Sequence, residues 1–497
     1  MYKTYCYITL ILCALCANTP LWANERLTVV VVVDGLNNDD LRLMRPYWPQ
    51  GGLRTLSEEA YQTTVDYPHP VYGGDETTAT LMTGTTPSEH GVCMNRYFDR
   101  ATRQVVELMA DANESGIATP TAYSARNLLS PTLSDRVRMQ YGDEAGIYAV
   151  GIEPVTTVML AGHAANACCW LGSPSEYEPL RWVSTSYYPE GLPSEADEMN
   201  INGRMEQINA RIWTPRMDIT MYNHPTDEEK KKSFSYRQGD VLRHSPGANT
   251  LVTELALSIQ KRQHLGEDNT PDLLLLQMTV LSPHAKADRI LSAEQEDMYL
   301  SLNQDLGYLM EQLEKRIGKS NLRIMVVGRP INGTDTERIE NAHINLMTFN
   351  ADRSAALTST YLMALYGHER WIDGGYGQAI YLNRTLIEQK HLSLPTIQRQ
   401  VADFLMEFEG VSRALPATDV FLTKDAESFH KRYIGDVVFF LQPFTRLTHT
   451  GKQGEETVDN ILDPHPESPL LYWSGSHFSF PEGRLDATKV IGILMEN

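Results

Sequence analysis

The chain has 497 residues, 42% hydrophobic and 21% charged, an ordinary globular make-up large enough for one big α/β domain with insertions or for two domains. A formal net charge of −20 argues against nucleic acid and anionic lipid as partners. No repeat or low-complexity tract stands out.

The first 23 residues read as an export signal: Lys3 precedes the apolar run Tyr7–Cys16, and "PLWA" offers Ala23 as a cleavage point before Asn24. The run is short for a membrane span and no later segment is long enough, so the expectation is a periplasmic or otherwise exported protein with no integral membrane segment after cleavage. A retained anchor is the alternative. Three of the six cysteines lie within the signal. Cys93, Cys168 and Cys169 cannot all pair within one chain, so they read as buried thiols or as one bridge to Cys93, and not as a disulfide scaffold.

In chain order, "RLTVVVVVDGL" is a continuous β-branched run ending at Asp34, the mark of a strand buried on both faces of a parallel sheet. "TTATLMTG" (77–84) predicts an early helix continuing towards "TTPSEHGV". Residues of about 120–250 are polar and rich in Tyr and Pro, and read as a cap lying over the sheet. Its aromatics Trp170, Trp182, Tyr187, Tyr188 and Trp213 could anchor a partner or pack the cap down. "DLLLLQMTV" (272–280) and "LRIMVVG" (322–328) are further buried strands. Between them Met298, Leu302, Leu306, Leu309 and Leu313 share one helical face, with Gly318 as the stop. A smaller α+β insertion is expected at about 340–450, where "ADFLMEFEGVSRAL" and "DVVFFLQPF" fall.

An ordered set of motifs then converges: "VVVVDGL", "GGLRTLSEEAY", "LMTGTTPSEHGV", "MNRYFD", "AGHAANACCW", "EDMYLSLNQDLG", "GYGQAIYLNRTLI" and "GDVVFFLQP". Together they resemble the alkaline phosphatase superfamily, in its exported bacterial branch with a threonine nucleophile, related to the type I phosphodiesterases and nucleotide pyrophosphatases. The resemblance spans residues 24–497. It implies an α/β three-layer sandwich around a central, mostly parallel sheet, with the site at the carboxyl ends of the strands. It also implies two zinc ions, six Asp/His ligands, a hydroxyl nucleophile and donors for the phosphate oxygens.

Checked residue by residue, the resemblance keeps the scaffold and loses the chemistry. Asp34 stands where the first-strand ligand belongs, but the nucleophile position falls on Gly74. Thr77 and Thr78 lie a turn further on, inside the helix. "MTVLSPHAK" offers His284 and no carboxylate, and the third strand carries Arg329 and Pro330 in place of an Asp-His pair. The last ligand position aligns with Gly475, with His477 and His465 as other candidates. Of the phosphate clamp only Asn95 matches; Glu153 and Val155 stand at the Lys and Arg positions, a reversal of charge that would repel phosphate.

The expectation is therefore a member without phosphatase activity and without a predicted cofactor. It would bind a protein partner, an active paralogue among the candidates, or a small ligand. In the alternative, it is a phosphomonoesterase or phosphodiesterase with an altered site, using Asp75, Thr77 or a metal-bound water with Asp34, His284 and His477 on zinc. In the resemblance Asp34 and the residue replaced by Arg329 converge on one metal, so an Asp34–Arg329 salt bridge is expected in its place.

Overall fold

The computed structural model describes residues 26–70, 74–175, 178–222, 234–283, 291–330, 347–450, 456–458, 466–475 and 481–496. Residues 1–23, His284, His465 and His477 lie outside them.

Ten strands form the central sheet: β1 (Leu27–Asp34), β2 (Tyr61–Asp66), β3 (Gly116–Ile117), β4 (Ile147–Gly151), β5 (Ala167–Gly172), β6 (Arg181–Thr185), β7 (Asp272–Thr279), β8 (Leu322–Arg329), β9 (Glu467–Ser474) and β10 (Leu485–Asp486). Their spatial order is β10-β2-β9-β8-β1-β7-β4-β5-β6-β3. The run β8-β1-β7-β4-β5 is parallel throughout. On the other side of β8, β9 pairs antiparallel with both β8 and β2.

Strand alternation divides the core into two layers. Val29, Val31 and Val33 of β1 face one apolar cluster, and Val30 and Val32 face the other. The helices follow the same division. Those that bear on the argument are α1 (Asp75–Thr83), α2 (Pro154–Ala161), α3 (Pro246–Gln263), α4 (Ala293–Ile317) and α5 (Ala487–Glu496). Leu251 and Leu255 of α3 join Leu302, Leu306, Leu309 and Leu313 of α4 beneath the first face. Met82 of α1, Val158 of α2 and Val490 of α5 cover the second. α4 starts on the Ser292 side chain, which accepts from the Gln295 N–H, and stops at Gly318. α1 ends at Gly84, and the chain resumes as a short helix over Pro87–His90.

The stretch of about 120–250 is not simply a cap. It supplies β4, β5 and β6 to the main sheet, because "IYAVG" and "ACCWLG" are short apolar runs that the surrounding polar sequence concealed. Of its five aromatics, Trp170, Trp182, Tyr188 and Trp213 are buried, and Tyr187 is half-buried with its ring edge-on to Tyr188. The Trp213 ring N–H, the Tyr222 hydroxyl and the Arg216 N–H all donate to the buried carboxylate of Asp297 on α4, at 2.7, 2.7 and 2.9 Å. These residues pack and hydrogen-bond the layer to the core. Residues 347–450 carry a separate apolar cluster around Trp371, Val401 and Phe439, beneath a four-stranded sheet. Cys93, Cys168 and Cys169 are buried free thiols. Cys168 and Cys169 face opposite layers, as successive strand residues must.

One buried polar chain has its proton positions fixed by its ends. The Val92 N–H donates to His90 Nδ1 (3.1 Å), so neutral His90 carries its proton on Nε2 and donates to Thr80 Oγ1 (3.0 Å). The Thr80 hydroxyl then donates to His69 Nε2 (2.7 Å), and His69 Nδ1–H donates to the Pro70 carbonyl (3.0 Å). Burial lowers the pKa of His69 to about 4 and holds His90 well below the usual value. Between those values and ~6.5 the unfolded chain binds protons that the folded one refuses. The contribution of these two histidines to stability is therefore complete above pH ~6.5 and falls as the pH drops towards 4. The Asp272 and Asp305 carboxylates, whose pKa values burial raises, oppose that fall. Melting temperatures from pH 7.5 to 4.5, read as the difference from a His69→Gln/His90→Gln variant, will show it. Thr80→Val should cost about 1–3 kcal/mol by stranding both ring nitrogens; a difference flat across that pH range, together with a melting temperature unmoved by Thr80→Val, would contradict the assignment.

Candidate functional site

The site lies at the carboxyl ends of β1, β7 and β8. Parallel register sets Asp34 beside Arg329 on one side and Thr279 on the other, with Leu281 packed under Gly35. Arg329 Nη1 donates to Asp34 Oδ1 at 2.9 Å, and Nη2 donates to Asp75 Oδ1 at 2.7 Å. The guanidinium thus spans two carboxylates on separate elements instead of gripping Asp34 in a bidentate pair. All three groups are buried. Desolvation raises the Asp75 pKa, with Arg329 opposing the rise and Asp34 adding to it. Burial disfavours the charged form of Arg329, yet Asp34 and Asp75 outweigh it, so its pKa is raised and its charge is permanent.

Asp34 is held from its other side too. Gln277, the single polar residue inside the apolar run of β7, donates from Nε2 to Asp34 Oδ2 at 2.8 Å. Its Oε1 accepts the N–H groups of Ile152 (3.0 Å) and Glu153 (2.8 Å) at the start of α2. One buried amide therefore ties the first strand to the neighbouring helix entry. The lone Gln in "DLLLLQMTV" was the sequence signal for it. Tyr67, buried nearby, accepts from the Ser468 hydroxyl at 3.3 Å, and its phenol is pushed up to about 12 by burial.

Gly74 begins α1 with φ +93°, in the left-handed region that favours glycine. A Cβ there would meet the Pro330 carbonyl oxygen at 2.6 Å and Arg329 Nε at 3.3 Å. Space at this position is taken by the very residues that replaced the expected Asp-His pair. Thr77 is tied down, its hydroxyl donating to the Gly74 carbonyl at 2.5 Å, and Thr78 is buried within the helix.

The clamp positions differ from the expected reversal of charge. Glu153 is half-buried and faces Arg243 at 3.5 Å, while Arg243 Nη2 donates to the Leu171 carbonyl at 2.7 Å. Desolvation raises the Glu153 pKa against the pull of Arg243. Arg329 and Arg243 therefore offset much of the carboxylate charge, and a purely repulsive pocket is corrected to a mixed one. Arg243 follows a polar stretch with no motif to mark it. Val155 enters α2 and packs against its apolar cluster. Asn95 is exposed, and its carbonyl accepts the Leu108 N–H at 2.8 Å.

Gly475 is not at the site. β9 runs antiparallel to β8, so Ser474 pairs with Arg323 and Gly475 abuts Lys319, at the opposite end of the sheet from Arg329. An eight-residue strand separates the two ends by ~25 Å. The end of β9 that reaches the site is its start, where Pro469 touches Gly328.

Among the described residues the donor set does not fit a pair of zinc ions. Both Asp34 oxygens are engaged, one by a guanidinium that has no lone pair to offer a metal. Among the described residues no group of three His, Cys, Asp or Glu side chains is placed to hold a metal ion.

A mostly parallel sheet with two helical layers and a polar centre at its carboxyl edge defines the architecture. The chain belongs to the type I phosphodiesterase / nucleotide pyrophosphatase family, whose model matches residues 28–459. It is 21% identical over 480 residues to alkaline phosphatase PafA of Elizabethkingia meningoseptica, covering 90% of this chain and 86% of that one. It is 24% identical over 488 residues to a calcium-transporting ATPase of Myroides odoratus, covering 90% and 87%. The crystal structure of wild-type alkaline phosphatase PafA superposes with a TM-score of 0.77 at 18% identity, over 94% of each chain. The fold is that of an alkaline phosphatase.

Removing the guanidinium leaves two carboxylates buried side by side. Arg329→Ala should lower stability by about 3–5 kcal/mol in denaturant titrations. Gly74→Thr should cost about 1–3 kcal/mol through backbone strain alone, with the Pro330 contact in addition. Unchanged midpoints for both variants would contradict the geometry.

Proposed function

We propose that this chain is an exported, non-hydrolytic member of its family, serving as a binding, scaffold or assembly protein for a protein partner or a small ligand. The observation that carries this reading is the Asp34–Arg329–Asp75 triad. A phosphoryl-transfer site of this type needs a hydroxyl at the start of α1 and carboxylates free to take metal. Here the helix starts on a glycine that cannot accept a side chain without displacing Arg329 or Pro330, and the carboxylates are paired with a fixed cation. Asn95, the residual amide of the clamp, and Glu153 with Arg243 would line the remodelled opening.

A second reading, a metal-dependent phosphomonoesterase or phosphodiesterase with an altered site, is supported by the family match and by curated relatives that are alkaline phosphatases. It would draw on Asp75, Thr77 or a metal-bound water, with Asp34, His284 and His477 as ligands.

Two assays on the purified chain separate the readings. Elemental analysis after zinc loading should give well below one zinc per chain, hydrolysis of an aryl phosphate should stay at the background rate, and millimolar phosphate should leave the melting temperature unchanged. Stoichiometric zinc, with turnover abolished by Asp34→Ala, would overturn the first reading and establish the second.

A further inference from the structure

A cleft opens on the face of the sheet that α3 and α4 cover, where the helices Asn38–Met44 and Gly52–Glu59 meet β2 and β9. None of Asp34, Gly74, Gln277, Glu153 and Arg329 lines it. It holds about 270 Å³ of free volume, and about 760 Å³ once its open mouth is counted, which is room for a small molecule. Its inner wall is apolar: Trp48, Leu53 and Leu471 belong to the first apolar cluster, and half-buried Leu41 packs against it.

The charge of this cleft is the reverse of the chain's. The sequence carries 63 acidic and 43 basic side chains, yet Arg42 and Arg45 line the cleft and no carboxylate does. The neighbouring carboxylates are already paired: Asp39 with Arg42 at 3.3 Å, Glu58 with Arg54 at 3.0 Å, Glu59 with Lys319 at 3.3 Å, and Glu467 with Arg484. Among the described residues Arg45 has no such partner, and its one hydrogen bond runs from Nη2 to the Ser57 carbonyl at 3.0 Å. Ser57 lies in the last turn of its helix, where a carbonyl has no helical N–H to accept. Gln62 Nε2 donates to the same oxygen at 2.7 Å. The guanidinium is therefore anchored at one corner, and Arg45 is exposed, so the rest of its planar fork of donors is open. Such a fork matches the two oxygens of a carboxylate.

We propose that this cleft binds a small aliphatic monocarboxylate, its carboxylate taken by Arg45 and its hydrocarbon tail laid against Leu41, Trp48 and Leu471. One unpaired guanidinium suits a monoanion, and the apolar wall behind it gains from covering a tail, which inorganic phosphate does not have. The proposal is independent of whether the Arg329 centre hydrolyses anything.

The test titrates hexanoate, hexanol, acetate and inorganic phosphate into the full chain, with binding read by calorimetry. Hexanoate should bind saturably and at least about tenfold tighter than hexanol, which lacks the charge. It should also bind at least about tenfold tighter than acetate, which lacks most of the tail. Phosphate should not displace it. Arg45→Gln should remove the preference over hexanol and leave the melting temperature of the free protein unchanged, because Arg45 is exposed. Leu41→Ser should weaken hexanoate and leave acetate as it was. No hexanoate binding up to millimolar concentration, equal affinity for hexanoate and either hexanol or acetate, displacement by phosphate, or a preference that survives Arg45→Gln would each overturn the proposal. The comparison of the four probes on the unsubstituted chain stands even where a variant fails to fold.

Discussion

One guanidinium organises the carboxyl edge of the sheet. Arg329 ends β8 with its charge held between Asp34 of β1 and Asp75 of α1, so a strand, its neighbour and the helix that crosses above them meet at a single buried cation. Three buried ionisable groups of this kind are tolerable only when each is paired, since an isolated charge in such surroundings costs several kcal/mol. Gln277 extends the constraint to α2 through the Ile152 and Glu153 N–H groups. Gly74 completes it, because no side chain fits between α1 and the Arg329–Pro330 turn.

The same constraint explains how a phosphatase fold can persist around an altered centre. The sheet needs something cationic where strands β1 and β8 bring acidic groups together. The family resemblance implies a metal as the source of that charge; here a side chain covalently part of the sheet stands between the two carboxylates. The arginine keeps the electrostatic balance of the edge and engages one oxygen of Asp34 and one of Asp75. Fold similarity alone does not decide function.

Much of this was legible in the residues. The β-branched run to Asp34 and its two companions announced three adjacent parallel strands, because strands buried on both faces cannot alternate polar and apolar residues. Placing Arg329 beside Asp34 followed from the family resemblance, which implies that the two positions converge on one metal. Other features were hidden for identifiable reasons. β4 and β5 are five and six residues long and sit in a polar, Pro-rich stretch, so composition masked their place in the main sheet. Gly475 was placed at the site because strand direction is invisible in sequence: β9 is antiparallel, and its far end carries the motif. Asp75 as the second partner of Arg329 depends on how α1 crosses the sheet, and Arg243 on a loop-to-helix path that no local pattern encodes.

The central claim, that a fixed arginine stands where the family's fold would place a metal, is tested most directly by a crystal structure grown in millimolar zinc with data collected at the zinc absorption edge. The account predicts the Arg329 guanidinium between Asp34 and Asp75, with no anomalous peak among the three side chains. A zinc peak bonded to Asp34, with Arg329 displaced from it, would contradict the account.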